Sequence, residues 1–194
     1  IDARLSFNSF IPAKLNESLA NKLANFYIER LAHEPTLHDK VEFEVVYSCY
    51  TFDLKEKLKR LNQSGFTEPE IEKLSSCLRD ITNEIIHPNK GLWSNDAQKL
   101  KILQSRRQEL ISSDVDIISK IYWLLEDAKR YGTLPFAGLA RAAFIAVQLL
   151  GSLVAVGIFT KNDHQKFIES ISTISRKLSK DRVQKKKSEF LKIY

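Results

Sequence analysis

The side chains best placed to do chemistry in this sequence are two arginines, Arg130 and Arg141, on either side of a Thr133-Leu-Pro-Phe136 segment. Pro135 is expected to begin a helix, and the first N–H groups of a helix are free to bind an anion. Guanidinium groups donate hydrogen bonds to the same ligands. The spacing predicts a phosphate or carboxylate site at Arg130 and Arg141, although arginines at such places also form structural ion pairs.

Other candidate patterns lack a required residue or spacing. His33 and His38 lie five residues apart with Pro35 between them, whereas a zinc-protease helix places its two histidines four residues apart on one unbroken helix. The sequence has no Gly-rich phosphate loop, nucleophile elbow or dinucleotide fingerprint. We therefore expect no catalytic residue, no metal site and no cofactor in this chain.

Helical spacing of apolar residues accounts for most of the chain. It predicts helices over about residues 12–33, 54–62, 67–86, 95–112, 113–131, 135–157 and from 160 onward. A capping box at Thr67 and Glu70 and a cap at Thr160 and Asp163 mark two of the starts. The expected fold class is all-α, a multi-helix bundle around a central small-residue helix.

Residues 142–159, which include most of that small-residue helix, contain no charged side chain. A stretch of this length reaches the lower limit for a membrane span. Gln148, the small residues Gly151 and Ser152, and the preceding Arg141 favour a helix covered by its neighbours in the core. We therefore expect no membrane partner.

The segment 40–47 permits two interpretations. Its apolar and charged residues alternate, which is typical of a short strand. Val41, Val45 and Cys49 are spaced four apart, which fits a helix equally well. Nothing else in the chain offers an obvious partner strand, so both interpretations stay open.

The composition indicates a cytoplasmic protein and one region of strong charge. Two cysteines in different segments are expected to be free buried thiols, which is typical of a cytoplasmic protein. Because the chain begins without Met, we expect a piece of a longer protein. We expect residues 1–194 to form a single helical domain. Residues 176–194 hold eight basic and two acidic residues, which equals the whole net charge of +6. We expect this basic helical tail to be a solvated helix that binds no partner, and we do not expect nucleic acid as a ligand.

Three stretches of the chain, residues 8–31, 35–46 and 132–175, resemble the central helical region of phosphoenolpyruvate synthase-like and pyruvate phosphate dikinase-like proteins. The similar segments include Asn-Ser-Phe-Ile-Pro-Ala-Lys-Leu-Asn-Glu from Asn8 and Pro-Thr-Leu-His-Asp-Lys-Val-Glu-Phe-Glu from Pro35. The resemblance implies a kinase-type transferase, a phosphotransferase whose ATP-grasp and phosphohistidine domains flank this region.

By that resemblance the chain is an acceptor-binding or spacer module that is inactive alone. The flanking domains and a small-molecule acceptor are the implied partners, and ATP and Mg²⁺ are the implied cofactors of the longer protein. None of the four histidines stands in the setting of a phosphocarrier histidine, so no catalytic residue carries over. The alternative is a non-enzymatic helical interaction module whose basic tail docks nucleic acid or an acidic partner.

Overall fold

The structure is a computed structural model that describes residues 3–171, 173, 174, 177 and 178, and this part of the chain is all-α. Its helices are α1 (Ala3–Asn8), α2 (Glu17–His33), α3 (Leu54–Gln63), α4 (Glu68–Ile86), α5 (Leu92–Ser112), α6 (Ile117–Asp127), α7 (Leu134–Ala155) and α8 (Lys161–Ser170). A 3-10 turn covers Pro35–Leu37, and π turns cover Val41–Val45 and Ala128–Thr133. The predicted all-α, multi-helix fold class is confirmed.

Internal packing divides the chain into two compact units, Ile1–Ser152 and Leu153–Tyr194, while the expected single helical domain stays a prediction. The first unit holds α1 to α6 and most of α7. The second holds the last turn of α7 and α8. The predicted basic tail at residues 176–194 lies outside the described residues, apart from Lys177 and Leu178.

Polar side chains at the N-termini decide where the helices begin. The predicted capping box at Thr67 and Glu70 is confirmed, and so is the predicted cap of Thr160 by Asp163. The predicted start at residue 12 was wrong. The carboxamide oxygen of Asn16 accepts a hydrogen bond from the Leu19 N–H at 2.8 Å, so α2 begins after Asn16.

The main core lies where α2, α3 and α4 meet. Its fully buried side chains are large and apolar, and their removal from water is the main force holding these helices together. They include Leu23 and Tyr27 of α2, Leu54, Leu58 and Leu61 of α3, and Leu74 and Leu78 of α4. The segment between the π turn and α3 adds Val45, Val46 and Tyr47.

This segment, residues 46–52, is not helical although most of it is buried. Hydroxyl groups of three helices satisfy its backbone. The Tyr47, Tyr50 and Phe52 N–H groups donate to the hydroxyls of Tyr27 (3.1 Å), Thr82 (2.8 Å) and Ser152 (3.2 Å). A buried N–H without an acceptor costs about 1–3 kcal/mol, so these contacts fix the path of the segment.

The π turn Val41–Val45 decides between the two interpretations of residues 40–47. The Val46 N–H donates to the Val41 carbonyl oxygen at 3.0 Å, so the chain forms one wide helical turn here. The strand was the wrong alternative, and no strand occurs elsewhere in the residues that the structure describes.

The helices α5 and α6 pack on each other with little burial of apolar side chains. No residue of α5 is buried, and Asp127 is the one buried residue of α6. The Asp127 carboxylate accepts a hydrogen bond from the Arg106 Nε at 2.8 Å, and the Arg106 guanidinium lies over the Tyr131 ring. Large apolar side chains stay exposed along α6, among them Ile117, Ile118, Ile121, Tyr122, Trp123 and Leu125.

Helix continues from α6 into α7 through the π turn Ala128–Thr133, so the predicted helix end at Gly132 was wrong. The resulting helix, Ile117–Ala155, is long and apolar enough by length and composition to cross a membrane. Only 11% of its most apolar window is buried. The expectation that neighbours cover the small-residue helix on all sides was therefore wrong.

A narrow strip of α7 makes its contacts within the first unit. Pro135, Ile145 and Ser152 are buried, and Ile145 packs in a small cluster with Cys49 and Ile85. The Gln148 amide nitrogen donates to the Glu42 carbonyl oxygen at 3.3 Å and to the Ser48 hydroxyl at 3.2 Å. Polar contacts with the segment before α3 thus attach α7 to the core.

The buried phenol of Tyr27 gives a test of the segment's anchoring. Tyr27→Phe leaves the Tyr47 N–H without its acceptor, so we expect the free energy of unfolding to fall by about 1–3 kcal/mol in urea denaturation at pH 7. Tyr122→Phe, on an exposed ring with 56% of its surface accessible, is the matched control and should change it by less than about 0.5 kcal/mol. Equal effects of the two variants would contradict this anchoring role.

The same side chain makes stability depend on alkaline pH. Burial raises the pKa of Tyr27 above its ordinary value of 10.0, so folding favours the neutral phenol. Its contribution is complete below pH 10 and is lost as the pH rises. Between about pH 10 and 12, the free energy of unfolding of Tyr27→Phe should therefore fall less steeply than that of the wild type. Parallel curves would contradict the assignment.

Two glycines with opposite surroundings give a matched pair. A Cβ added to buried Gly91 would collide with the carbonyl oxygens of Ile85 and His87, so Gly91→Ala should destabilise the fold by about 1–3 kcal/mol. A Cβ at Gly151 of α7 meets nothing within 4 Å, and Gly151→Ala should stabilise it by up to about 1 kcal/mol. Thermal unfolding of both variants measures the contrast, and melting shifts of the same sign would contradict it.

Candidate functional site

The predicted anion site at Arg130 and Arg141 has different surroundings from those expected. Arg130 lies in the π turn, mostly exposed, with its Nε 3.7 Å from the Glu126 carboxylate. Because helix continues through this region, the Leu134 N–H donates to the Lys129 carbonyl oxygen and no helix N-terminus is present here. Anion binding by Arg130 and Arg141 stays a prediction. It can no longer rely on the free N–H groups of a helix N-terminus, which were expected near Pro135.

Arg141 points toward the core of the first unit. Its Nε is buried and has no hydrogen-bond partner among the described residues. Burial raises the pKa of the nearby Cys49 thiol, and the Arg141 charge acts in the opposite direction. A guanidinium in this position stabilises negative charge, but Arg130 and Arg141 line none of the cavities described below.

A stronger cluster of cations lines a cavity of about 180 Å³ between α2, the π turn Val41–Val45, α3 and α7. Arg30, Lys57 and Arg60 supply three positive charges, and Glu44 supplies one negative charge. The Phe43 ring and the Gln148 amide also line this cavity. We call this space the arginine cavity.

Backbone carbonyls orient both arginines. The Arg30 Nη1 donates to the Val45 carbonyl oxygen at 3.2 Å, and the Arg60 Nε donates to the Lys57 carbonyl oxygen at 3.2 Å. The Tyr47 hydroxyl donates to the same Lys57 oxygen at 3.1 Å. Each guanidinium has five N–H donors, so most of them remain available to a ligand.

Both arginines also line a second, more open cavity of about 370 Å³ beside the C-terminal end of α2. Its other charged or titratable side chains are Glu29, His33 and Glu34. Arg30 and Arg60 therefore line both cavities.

The charges of the two arginines are not neutralised by ion pairs. Across residues 3–171, ion pairs within 4 Å use other cations, and Lys57 pairs with Asp53 at 3.1 Å. Burial lowers the pKa of Arg30, and the charge of Arg60 lowers it further. The carboxylates of Glu44 and Glu34 act in the opposite direction but form no ion pair with Arg30 within 4 Å. Two guanidinium groups that repel each other and have no direct ion-pair partner favour an anionic ligand.

The chemistry that the arginine cavity supports is anion binding. In the described part of the chain, His, Cys, Asp and Glu side chains form no group of three that could hold a metal ion. Sequence reasoning missed Arg30 and Arg60, because each lies in the last turn of its helix, where a cation is ordinary. Thirty residues of sequence separate them, and only the tertiary fold, in which α2 and α3 contribute to one core, brings them to the same cavities.

No family model matches the chain, and no solved structure matches it. Curated relatives match part of it. Asparagine–tRNA ligase of Shewanella amazonensis (strain ATCC BAA-1098 / SB2B) is 31% identical over 94 residues, which cover 48% of this chain and 17% of that protein. The asparagine–tRNA ligases of Shewanella sp. (strain MR-4) and Shewanella oneidensis are 30% identical over the same length and coverage.

These relatives correct the family expected from the sequence. They are ligases of asparagine and tRNA by name, and nothing among them is a phosphoenolpyruvate synthase or a pyruvate phosphate dikinase. The assignment to a dikinase-type phosphotransferase was wrong, and so were the ATP-grasp and phosphohistidine partners that depended on it. The short similar segments led to the wrong family because they contain helix caps and apolar spacings that are common to many helical proteins. The chain spans less than a fifth of the length of the curated relatives.

Proposed function

We propose that this chain is a helical RNA-binding module of a protein related to aminoacyl-tRNA ligases. The observation that carries the proposal is the similarity of 94 residues to asparagine–tRNA ligases, whose name includes tRNA as a substrate. The similarity covers about half of this chain and a small part of those proteins, so the proposal concerns an accessory module and assigns no ligase chemistry to it.

Charge supports RNA as the ligand. The chain has a net charge of +6 at pH 7 and a sequence pI of about 9.2. A protein that binds RNA gains affinity when its lysines and arginines release the counterions of the phosphates. The earlier expectation that nucleic acid is not a partner depended on the tail alone, whereas Arg30 and Arg60 add an unneutralised pair within the first unit.

Proteins recognise double-stranded RNA mostly by its shape and by contacts to its 2′-hydroxyls and phosphates. The arginine cavity offers fixed guanidinium donors for phosphate oxygens. The basic residues of 176–194 supply charge that attracts the polyanion over a longer distance. A cytoplasmic location, which the two free buried cysteines favour, is part of the same proposal.

Fluorescence anisotropy with a labelled tRNA tests the proposal on the 194-residue chain. We expect saturable binding whose logarithmic affinity falls linearly with the logarithm of salt concentration between about 50 and 200 mM. Replacing Lys185, Lys186 and Lys187 by Gln should make this slope shallower, by about one for each phosphate contact that is lost. Duplex DNA of similar length is the control ligand and should bind more weakly.

Absence of tRNA binding at about 50 mM salt would contradict the proposal. Equal affinity for tRNA and duplex DNA would also contradict it, because the binding would then reflect net charge without recognition of RNA.

A further inference from the structure

Two arginines of the first unit, Arg30 and Arg60, line the same two cavities, and neither has a carboxylate partner within 4 Å. Arg30 is partly buried at the C-terminal end of α2, and Arg60 lies in the last turn of α3. They line both the arginine cavity and the larger cavity beside it. A like-charged pair is unfavourable for folding unless a ligand or solvent compensates it, so the arrangement requires an explanation.

We propose that Arg30 and Arg60 bind one phosphate group between the two cavities that they share. Backbone carbonyls hold one N–H of each guanidinium, at Val45 and at Lys57, and leave the remaining donors for ligand oxygens. A tetrahedral phosphate has enough oxygens to accept from two planar guanidinium forks at once. Lys57 also lines the arginine cavity, but its charge is paired with Asp53 at 3.1 Å, so the site depends on the two arginines.

The acidic residues near the site lie on its walls and leave the arginines unpaired. Glu44 lines the arginine cavity, and Glu29 and Glu34 line the larger one. None of them reaches an ion-pair distance of 4 Å from either guanidinium. These carboxylates disfavour a second anion beside the first, so the geometry fits a single phosphate better than a long polyanionic track.

The source of this phosphate depends on the proposed function. If the chain binds RNA, the phosphate belongs to the RNA backbone, and this part of the inference rests on that proposal. A free phosphate, or a small phosphorylated molecule, presents the same oxygens. The experiment therefore measures phosphate binding and RNA binding separately.

Phosphate binding is measured by chemical modification of arginines in the full chain. Phenylglyoxal reacts with accessible guanidinium groups, and peptide mass spectrometry gives the rate at each arginine. Millimolar inorganic phosphate should slow the reaction of Arg30 and Arg60 several-fold and leave Arg107, which is exposed on α5, unchanged. Sulfate is also a tetrahedral anion and should protect the same two arginines. Chloride at the same ionic strength only screens charge and should protect neither Arg30 nor Arg60.

RNA binding is measured with matched charge-removing variants. Arg60→Gln should weaken tRNA binding about tenfold, because a charge-assisted hydrogen-bond pair is lost. Arg60 and Arg107 are both exposed, but Arg107 lines neither of the two cavities, so Arg107→Gln removes the same charge outside the site and should change the affinity less than about twofold. Arg30→Lys keeps the charge and loses the planar fork, so its weakening would show bidentate binding. Circular dichroism confirms that each variant is folded.

The outcomes separate the inference from the proposed function. Protection by phosphate together with weaker RNA binding of Arg60→Gln supports both. Protection by phosphate without any RNA binding supports the site, assigns it to free phosphate, and contradicts the RNA-binding module. Equal modification rates of Arg30 and Arg60 with and without phosphate would overturn the site, whether or not the chain binds RNA.

Discussion

The fold depends on a stretch of non-helical backbone that lies inside a helical protein. Residues 46–52 run through the core, and their N–H groups find acceptors on Tyr27, Thr82 and Ser152, from α2, α4 and α7. Buried backbone without such partners would be too costly to keep. The segment therefore fixes the positions of these helices within the first unit, and it also shapes the wall of the arginine cavity.

The sequence could predict what local forces decide. Capping side chains such as Thr67 and Asp163, and apolar spacing in α3 and α4, are local signals, and the helices that they predicted are present. It could not predict that helix continues past Gly132, because the helix-breaking tendency of glycine is weaker than the packing of α5 against the π turn and α6. Apolar composition likewise indicated burial for α7, whereas exposure depends on which neighbours cover it.

The candidate site was harder to predict than the fold. Arg130 and Arg141 stood out because they flank the segment from Thr133 to Phe136, yet Arg130 pairs with Glu126 and the Arg141 Nε is buried without a hydrogen-bond partner among the described residues. Arg30 and Arg60 look like ordinary cations at helix ends. They become a candidate site only through tertiary packing, which places both guanidinium groups at the same two cavities without an ion-pair partner within 4 Å. Helix packing thus stabilises an arrangement that electrostatics alone disfavours, which makes the two arginines candidates for a binding site.

The most direct test of this account is ultraviolet cross-linking of tRNA to the intact chain, with the linked peptides identified by mass spectrometry. We expect cross-links on the peptides of α2 and α3 that line the arginine cavity, together with the tail, and loss of the α2 and α3 cross-links when inorganic phosphate competes. Cross-links confined to other helices, or insensitive to phosphate, would contradict the claim that this cavity binds an RNA phosphate.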